Sequence, residues 1–250
     1  MASLVNNCAP FIENPNILIL MSDQERYSPV SDIQAVKDFL YNLPGKTSLR
    51  SNCVSYTNHY IASAACVPSR ATMFTGHYSK MTGVSQTNGV AKKINDQTMF
   101  WLKQGTVPTI GNYFKQAKIA SRWVGKWHLT FSDLVNPGTN SDYYSTISYN
   151  KDTGLEDPYL EHIYLAQNVL KPFGYDGWVG PEPFGPYAWN MGSTAKDQAK
   201  GRDPVYARYA VQNLQKFEQS GERFHLTVAF NDPHDIVAYG DIGVRLPRLD

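Results

Sequence analysis

Apolar and polar positions follow two rhythms along this chain, and they sort it into strands and helices. Ile17-Leu18-Ile19-Leu20-Met21 is a short unbroken apolar run between Pro15-Asn16 and Ser22-Asp23-Gln24. Such a run suits a strand buried on both faces, as in a parallel sheet. From Ser31 to Leu43, Ile33, Val36, Phe39, Leu40 and Leu43 recur at three and four, the period of a helix, until Pro44-Gly45 breaks it. Cys53 to Tyr60 alternates as a strand does. Val107 to Ala117 reads as a helix begun by Pro108 or Thr109, with Ile110, Tyr113, Phe114 and Ala117 on one face, and Ile119 to Val124 follows as a strand. Asp203 to Phe217 is a helix with Val205, Tyr206, Tyr209, Ala210, Leu214 and Phe217 in phase. Gly221 ends it, and Phe224 to Phe230 is the next buried strand.

Residues Thr130 to Lys200 keep neither rhythm. They are rich in Gly, Pro, Asn and aromatics: Tyr143, Tyr144, Tyr149, Tyr159, Tyr164, Tyr175, Trp178, Tyr187 and Trp189. A structureless loop of this length is unusual inside a compact domain. The stretch is expected to be a packed insertion of short elements near the mouth of a site. Packing is the expected role for most of its aromatics, and some could line a substrate pocket.

Ser63 to His77 carries a denser message. Pro68 belongs in the first turn of a helix, Ser69 to Phe74 can continue it, and Gly76 can stop it. Cys66 would then stand at the helix N-terminus, where free N–H groups and the positive dipole end favour an anion. Arg70, one turn on, can reach back over that end. The alternative is a buried structural Cys with Arg70 solvated.

Composition narrows the class. The chain has 250 residues, 42% hydrophobic and 18% charged, which is a globular balance. The net charge of +1 and the lack of basic runs give no sign of a nucleic-acid surface. The aliphatic run at Ile17–Met21 is too short for a membrane span. Met1 to Cys8 has no basic-then-apolar pattern of a secretory signal, so either the location is cytoplasmic, which is the expectation, or the true N-terminus lies outside this sequence. Cys8, Cys53 and Cys66 form neither a disulfide framework nor a zinc spacing.

Polar residues gather after three of the expected strands: Asp23-Gln24, Gly125-Lys126-Trp127-His128 and Asn231-Asp232-Pro233-His234-Asp235. In open α/β sheets that edge binds ligands. Lys126 and His128, two apart in an extended segment, could aim into one site. Taken singly, each cluster also fits a capping Asp, a solvated Lys or a satisfied core His. His59, His162 and His225 read as structural.

Four of these stretches resemble the sulfatase family, the formylglycine-dependent branch of the alkaline phosphatase superfamily. Cys66-x-Pro68-Ser69-Arg70 with Thr75-Gly76 looks like the motif whose Cys is oxidised to formylglycine. Pro15-Asn16-Ile17-Leu18 with Asp23-Gln24 looks like the family opening, with Gln24 where many members carry Asp. Gly125-Lys126-Trp127-His128-Leu129 and Pro233-His234 match two further motifs. Phe173-Gly174-Tyr175-Asp176-Gly177-Trp178 is similar to a fifth stretch, and the family also has a strand near Cys53–Tyr60. Lys118 departs from the pattern, since members often have Gly after that helix.

The resemblance implies an α/β fold with an alkaline-phosphatase-like, mostly parallel sheet flanked by helices. It spans residues 1–250 as the N-terminal part of a catalytic domain, with the insertion at about 130–200. The Asp-Asn or Asp-His pair and following Lys that members carry further on do not occur after His234, so the chain reads as a fragment or truncated product. The implied activity is sulfuric ester hydrolysis. Cys66, as formylglycine, would be hydrated, attack sulfur and then expel sulfate. Asp23, Gln24 and the modified Cys66 would share a calcium ion that polarises the ester. Arg70 and Lys126 would hold sulfate oxygens, His128 would assist deprotonation, and His234 would bind a sulfate oxygen or help the leaving group. The implied partners are a small-molecule or carbohydrate sulfate ester and a formylglycine-generating enzyme, with no nucleic acid or membrane. Phosphonate or phosphodiester hydrolysis within the same superfamily, or an inactive sulfatase-like product, are the alternatives.

Overall fold

The structure, a computed structural model, describes residues 14–25, 33–51, 53–88, 92–93, 96–131, 134–135, 142–143, 148–150, 152–180, 193–194 and 197–234. Tyr144, Tyr187, Trp189, Asp235 and Ser31, all named above, lie outside the described residues.

A three-stranded parallel sheet organises the molecule. β1 (Ile17–Met21), β7 (Phe224–Ala229) and β2 (Ala120–Gly125) lie in the order β1-β7-β2. The chain between β1 and β2 forms α1 (Gln34–Tyr41), α2 (Pro44–Arg50), α3 (Cys66–Thr75), α4 (Ser79–Thr82) and α5 (Ile110–Gln116). Between β2 and β7 come the hairpin β3 (Leu134–Val135) and β4 (Asp142–Tyr143), α6 (Pro158–Gln167), a 3-10 turn at Lys171–Phe173, the pair β5 (Ser193–Thr194) and β6 (Asp197–Gly201), and α7 (Arg202–Ser220).

α7 covers one face of β2 and β7. Tyr206, Tyr209, Ala210, Asn213 and Phe217 are buried at helical spacing, and Gly221 caps the helix at φ 66°. Arg122 of β2 donates to Asn213 Oδ1 of α7 at 2.7 Å. The opposite face carries the aromatic core. Trp123 meets Phe74 edge-on at 4.6 Å, Trp127 at 4.8 Å and Tyr175 at 5.2 Å. α5 closes this side. Thr109 and Asn112 cap it reciprocally, and Thr109 also donates to the Phe173 carbonyl at 2.5 Å. Phe173, Tyr175, Trp178 and Val179 therefore belong to the core, in line with a packing role for these residues of the 130–200 stretch.

Four expectations need correction. β1 is not buried on both faces: Leu18 and Leu20 are 44% and 50% exposed. They share the face of Leu226 and Val228, where α7 covers β7 and β2 but not β1. Cys53 to Tyr60 forms no strand and is exposed; its alternation meets no neighbouring strand among the described residues to pair with. α1 forms within the expected span, and Pro44 does stop it, but Pro44 also opens α2, where the missing N–H costs nothing. Neither helix buries a residue, so the periodic face of α1 is uncovered among the described residues. In α5 it is Gly111 that is buried, against Phe173 and Tyr175, while Tyr113 is half exposed.

Candidate active site

Because the three strands run parallel, their C-terminal ends open on the same edge, and each delivers polar residues there. Asp23 follows β1, Lys126 and His128 follow β2, and Asn231 to His234 follow β7. α3 brings a fourth group. It begins at Cys66, its N-cap Ala65 offers no side-chain bond, and Gly76 at φ 73° ends it. The N-terminal amides of this helix are thus left for another acceptor.

Gly125 makes the β2 end possible. It sits at φ 90°, and a Cβ there would lie 2.2 Å from the Ala229 carbonyl oxygen and 2.9 Å from the Tyr206 ring. The close approach lets Lys126 N donate to Ala229 O at 3.0 Å, while Gly125 N donates to Val179 O at 2.8 Å. His128 then adopts φ 49°, a left-handed conformation uncommon outside Gly. Lys126 and His128 therefore face one site through a turn rather than through strand alternation.

Asp23, Arg70 and Lys126 form the buried centre. Asp23 Oδ2 accepts from Arg70 Nη2 at 2.9 Å and lies 2.5 Å from Lys126 Nζ. Arg70 does not fan out over the helix end. Its Nη1 donates to the carbonyls of Lys126 at 2.7 Å and Trp127 at 3.3 Å, which ties α3 to the end of β2. Burial pushes the Asp23 carboxyl up, but the Lys126 and Arg70 charges outweigh it and hold the pKa at about 2. Burial and the Arg70 charge push Lys126 down. Two buried cations thus share one carboxylate, leaving a surplus positive charge in a desolvated place. Lys126 Nζ, on a side chain 1% exposed, is paired with Asp23 Oδ2, and an ammonium carries further N–H groups that can meet an anion.

Cys66 and the two histidines border this centre. Cys66 Sγ lies 3.8 Å from His234 Nε2. One ligand atom from each of Asp23, Cys66 and His234 falls within 4.8 Å of the others. Burial and the Lys126 charge hold His234 below its usual value. His128 is pushed much further down, by burial and then by Lys126 and Arg70. Both imidazoles are neutral at pH 7 and able to take or give one proton. His128 Nε2 pairs with Asn88 Oδ1 at 2.7 Å, and its ring lies 6.1 Å from that of Trp101.

Of the seven residues singled out from the sequence, Asp23, Cys66, Arg70, Lys126, His128 and His234 come together, and Gln24 follows Asp23 in the chain. Gln24 is exposed, at φ 57°. His59 and His162 are exposed, and His225 is buried away from the edge between Ser121 and Thr227. Asn88, Arg202 and Asp203 were not foreseen, and Asn231 stood out only as part of the polar cluster after β7. Asn88 touches His128, and the other three fix the loop that carries His234. The run Asn231-Asp232-Pro233-His234 was visible as a polar cluster, but nothing local linked it to the start of α7.

The donor set fits a calcium ion in part. Calcium takes six to eight oxygen ligands. Asp23 supplies one carboxylate, while a Cys thiol and an imidazole are softer donors that suit other metals. Replacing the Cys66 sulfur by oxygen would move the set toward calcium, yet the described residues alone do not complete its shell.

A parallel sheet with a cation-rich edge and a Cys at a helix start defines an α/β protein whose polar groups gather at the C-terminal ends of its strands. The sulfatase family model matches residues 15–241, nearly the whole chain, and the chain belongs to the sulfatase family. It is 30% identical over 234 residues to the uncharacterized sulfatase YidJ of Escherichia coli (strain K12), covering 89% of this chain and 39% of that protein. It is 25% identical over 222 residues to the iduronate 2-sulfatase of Mus musculus, covering 88% and 35%. The fold is similar to the crystal structure of a YidJ sulfatase from Bacteroides fragilis, with a TM-score of 0.53 and 19% identity over 88% of this chain and 44% of that one. The chain thus spans less than half the length of these relatives. No helix among the described residues is long and apolar enough to cross a membrane.

Proposed function

We propose that the protein hydrolyses a sulfate monoester of a small molecule or carbohydrate, with Cys66, converted to formylglycine, as the nucleophile. The observation that carries this reading is the pair of buried cations, Arg70 and Lys126, sharing the single Asp23 carboxylate beside Cys66. Their surplus charge suits a sulfate group, whose oxygens would accept from Lys126 and from the α3 amides. A relative named iduronate 2-sulfatase makes sulfated sugars the first substrates to test.

As an aldehyde hydrate, residue 66 would supply one hydroxyl for attack on sulfur and a second to drive release. A calcium ion, for which Asp23, Gln24 and residue 66 would be ligands together with others from outside the described residues, would add Lewis acidity. The chain's own residues carry the rest. Lys126 neutralises sulfate oxygens as charge moves onto the leaving oxygen. Arg70, locked to the end of β2, holds Asp23 and the mouth of α3 in place. His234, neutral and 3.8 Å from residue 66, donates to a sulfate oxygen or to the leaving oxygen. His128, neutral and oriented by Asn88, takes the proton that release requires. A maturation enzyme acting on Cys66 is part of the proposal.

The test is turnover of 4-nitrophenyl sulfate by wild type, Cys66→Ala and Cys66→Ser, with mass analysis of the Cys66 peptide. Conversion exchanges sulfur and two hydrogens for one oxygen, a loss of about 18 Da. The proposal expects that loss in wild type and no multiple turnover in either variant. Undiminished turnover in Cys66→Ala would overturn it.

A further inference from the structure

The loop that bears His234 has no regular structure, yet it is tied down at both ends, on one side by residues that the catalytic reading does not use. Asp203, in the first turn of α7, spends its carboxylate on two consecutive amides of that loop. Oδ1 accepts from Asn231 N and Oδ2 from Asp232 N, each at 2.8 Å. The neighbouring Arg202, fully buried, donates from Nη1 to Asn231 Oδ1 at 2.9 Å. Asn231 Nδ2 in turn donates to the His234 carbonyl at 3.2 Å, and His234 N donates back to the Asn231 carbonyl at 2.9 Å. At the far side Asp23 N donates to the Asp232 carbonyl at 3.2 Å, which joins the loop to the end of β1.

We propose that Asp203 and Arg202 are positioning residues, which clamp Asn231 and Asp232 so that the His234 imidazole is held against residue 66. The inference rests on the reading of His234 as a group that touches the sulfate ester. A bidentate carboxylate on adjacent amides fixes both the place and the tilt of the backbone, and the Arg202–Asn231 pair extends the hold to the His234 carbonyl. The carboxylate of Asp203, at the second position of α7, spends both of its oxygens on the amides of the loop.

Asp203→Asn keeps the shape and loses one of the two acceptor positions, because an amide nitrogen would face a backbone N–H. A displaced reacting group of this kind costs about 10- to 100-fold in rate. The experiment is a double-mutant cycle with His234→Ala, reading kcat/KM on 4-nitrophenyl sulfate and on an alkyl sulfate with a poorer leaving group. The expected result is a loss in Asp203→Asn that tracks the leaving group as the loss in His234→Ala does, and that nearly vanishes when His234 is already Ala. Asn231→Ala, which breaks the link to the His234 carbonyl, is the second arm and decides the matter if Asp203→Asn does not fold. It too should be non-additive with His234→Ala.

In parallel, the His234 ring resonances are followed by NMR with inorganic sulfate as the added anion. They should move in Asp203→Asn, and the sulfate-induced shift should weaken. Fully additive losses, or unmoved His234 resonances, would overturn the inference. Wild-type activity in His234→Ala would instead overturn the reading of His234, and the resonances would still decide whether Asp203 sets the ring.

Discussion

Lys126 Nζ and Asp23 Oδ2 are 2.5 Å apart in a buried site, and Arg70 Nη2 shares that same oxygen at 2.9 Å. The carboxylate is the counter-charge for both cations among the described residues, so the three side chains stand or fall together. Removing one partner of a buried ion pair costs about 3–5 kcal/mol, because the other charge is left in a poor solvent. Asp23→Asn is accordingly expected to lower unfolding free energy by about that amount in urea titrations. Asp23→Asn with Lys126→Met should recover part of the loss, since one stranded cation has gone. A single variant as stable as wild type would contradict this account of the site's charge balance.

Gly125 is the backbone counterpart of that ion pair. The bond from Lys126 N to Ala229 O holds the Lys126 backbone at the sheet edge, and a Cβ on residue 125 would lie 2.2 Å from that same oxygen. The obstacle is backbone in the adjacent strand, not the end of a flexible side chain, and residue 125 is also at φ 90°. Gly125→Ala should therefore part β2 from β7 at its site end and destabilise the protein by about 2–4 kcal/mol. The measurement is chemical denaturation, with amide exchange at Lys126 as the local readout. Unchanged protection of that amide would count against the role given to Gly125.

Much of the framework could be read from the chain because its signals are local. α7 has a full helical stripe and a glycine stop, β2 and β7 are short segments mixing apolar and polar residues directly after a helix stop, and α3 has Pro68 inside its first turn and Gly76 after its last. The sheet end of the site follows once three strands are parallel. The failures are tertiary. Whether Leu18 and Leu20 are covered depends on how far α7 reaches across the sheet, and Cys53–Tyr60 lacks a partner strand among the described residues rather than a strand-like pattern. Asn88 and Asp203 were missed because their partners lie 40 and 28 residues away. An Asn in a loop and an Asp at a helix start are too common to attract notice on composition alone.

Lys118 is a departure that the backbone makes measurable. It follows α5 at φ 57°, the left-handed region that glycine enters freely and other residues enter at a cost of about 1–2 kcal/mol. Its side chain is exposed. Lys118→Gly should stabilise the protein by about 0.5–1 kcal/mol, the conformational gain less the extra freedom of the unfolded chain. Lys118→Ala should be close to neutral and serves as the control. Equal stabilities for the Gly and Ala variants would show that the backbone angle carries no penalty here.

Asn88 offers a way to move one titration without touching the cations. Its Oδ1 lies 2.7 Å from His128 Nε2. Burial and the Lys126 and Arg70 charges push His128 far below its usual range. Asn88→Asp places a carboxylate at that contact, which favours the charged imidazole. The His128 pKa should rise, as read from its ring resonances in an NMR titration, while Asn88→Leu should leave it depressed. A His128 titration unchanged in Asn88→Asp would mean that the two side chains do not meet in solution.

His225 predicts the sign of a stability change with pH, far from the catalytic edge. It is fully buried, stacked on Phe114 at 4.3 Å, with Ser121 Oγ 2.8 Å from Nδ1 and Thr227 Oγ1 3.0 Å from Nε2. Hydroxyls can donate or accept, so either neutral tautomer is satisfied, and burial is what opposes the charge. Burial pushes the folded pKa down to about 4, against roughly 6.5 for an unfolded histidine. Between those values the unfolded chain holds a proton that the folded one does not. The contribution of His225 is therefore complete above about pH 6.5, falls as pH drops through the window and is spent below about pH 4, a change of up to about 3 kcal/mol. His128 and His234 are depressed as well, so the informative quantity is the difference between wild type and His225→Gln across the window. That difference should shrink steadily from pH 7 to pH 4 in urea titrations. A constant difference would mean that His225 takes up its proton in the folded state as readily as in the unfolded one.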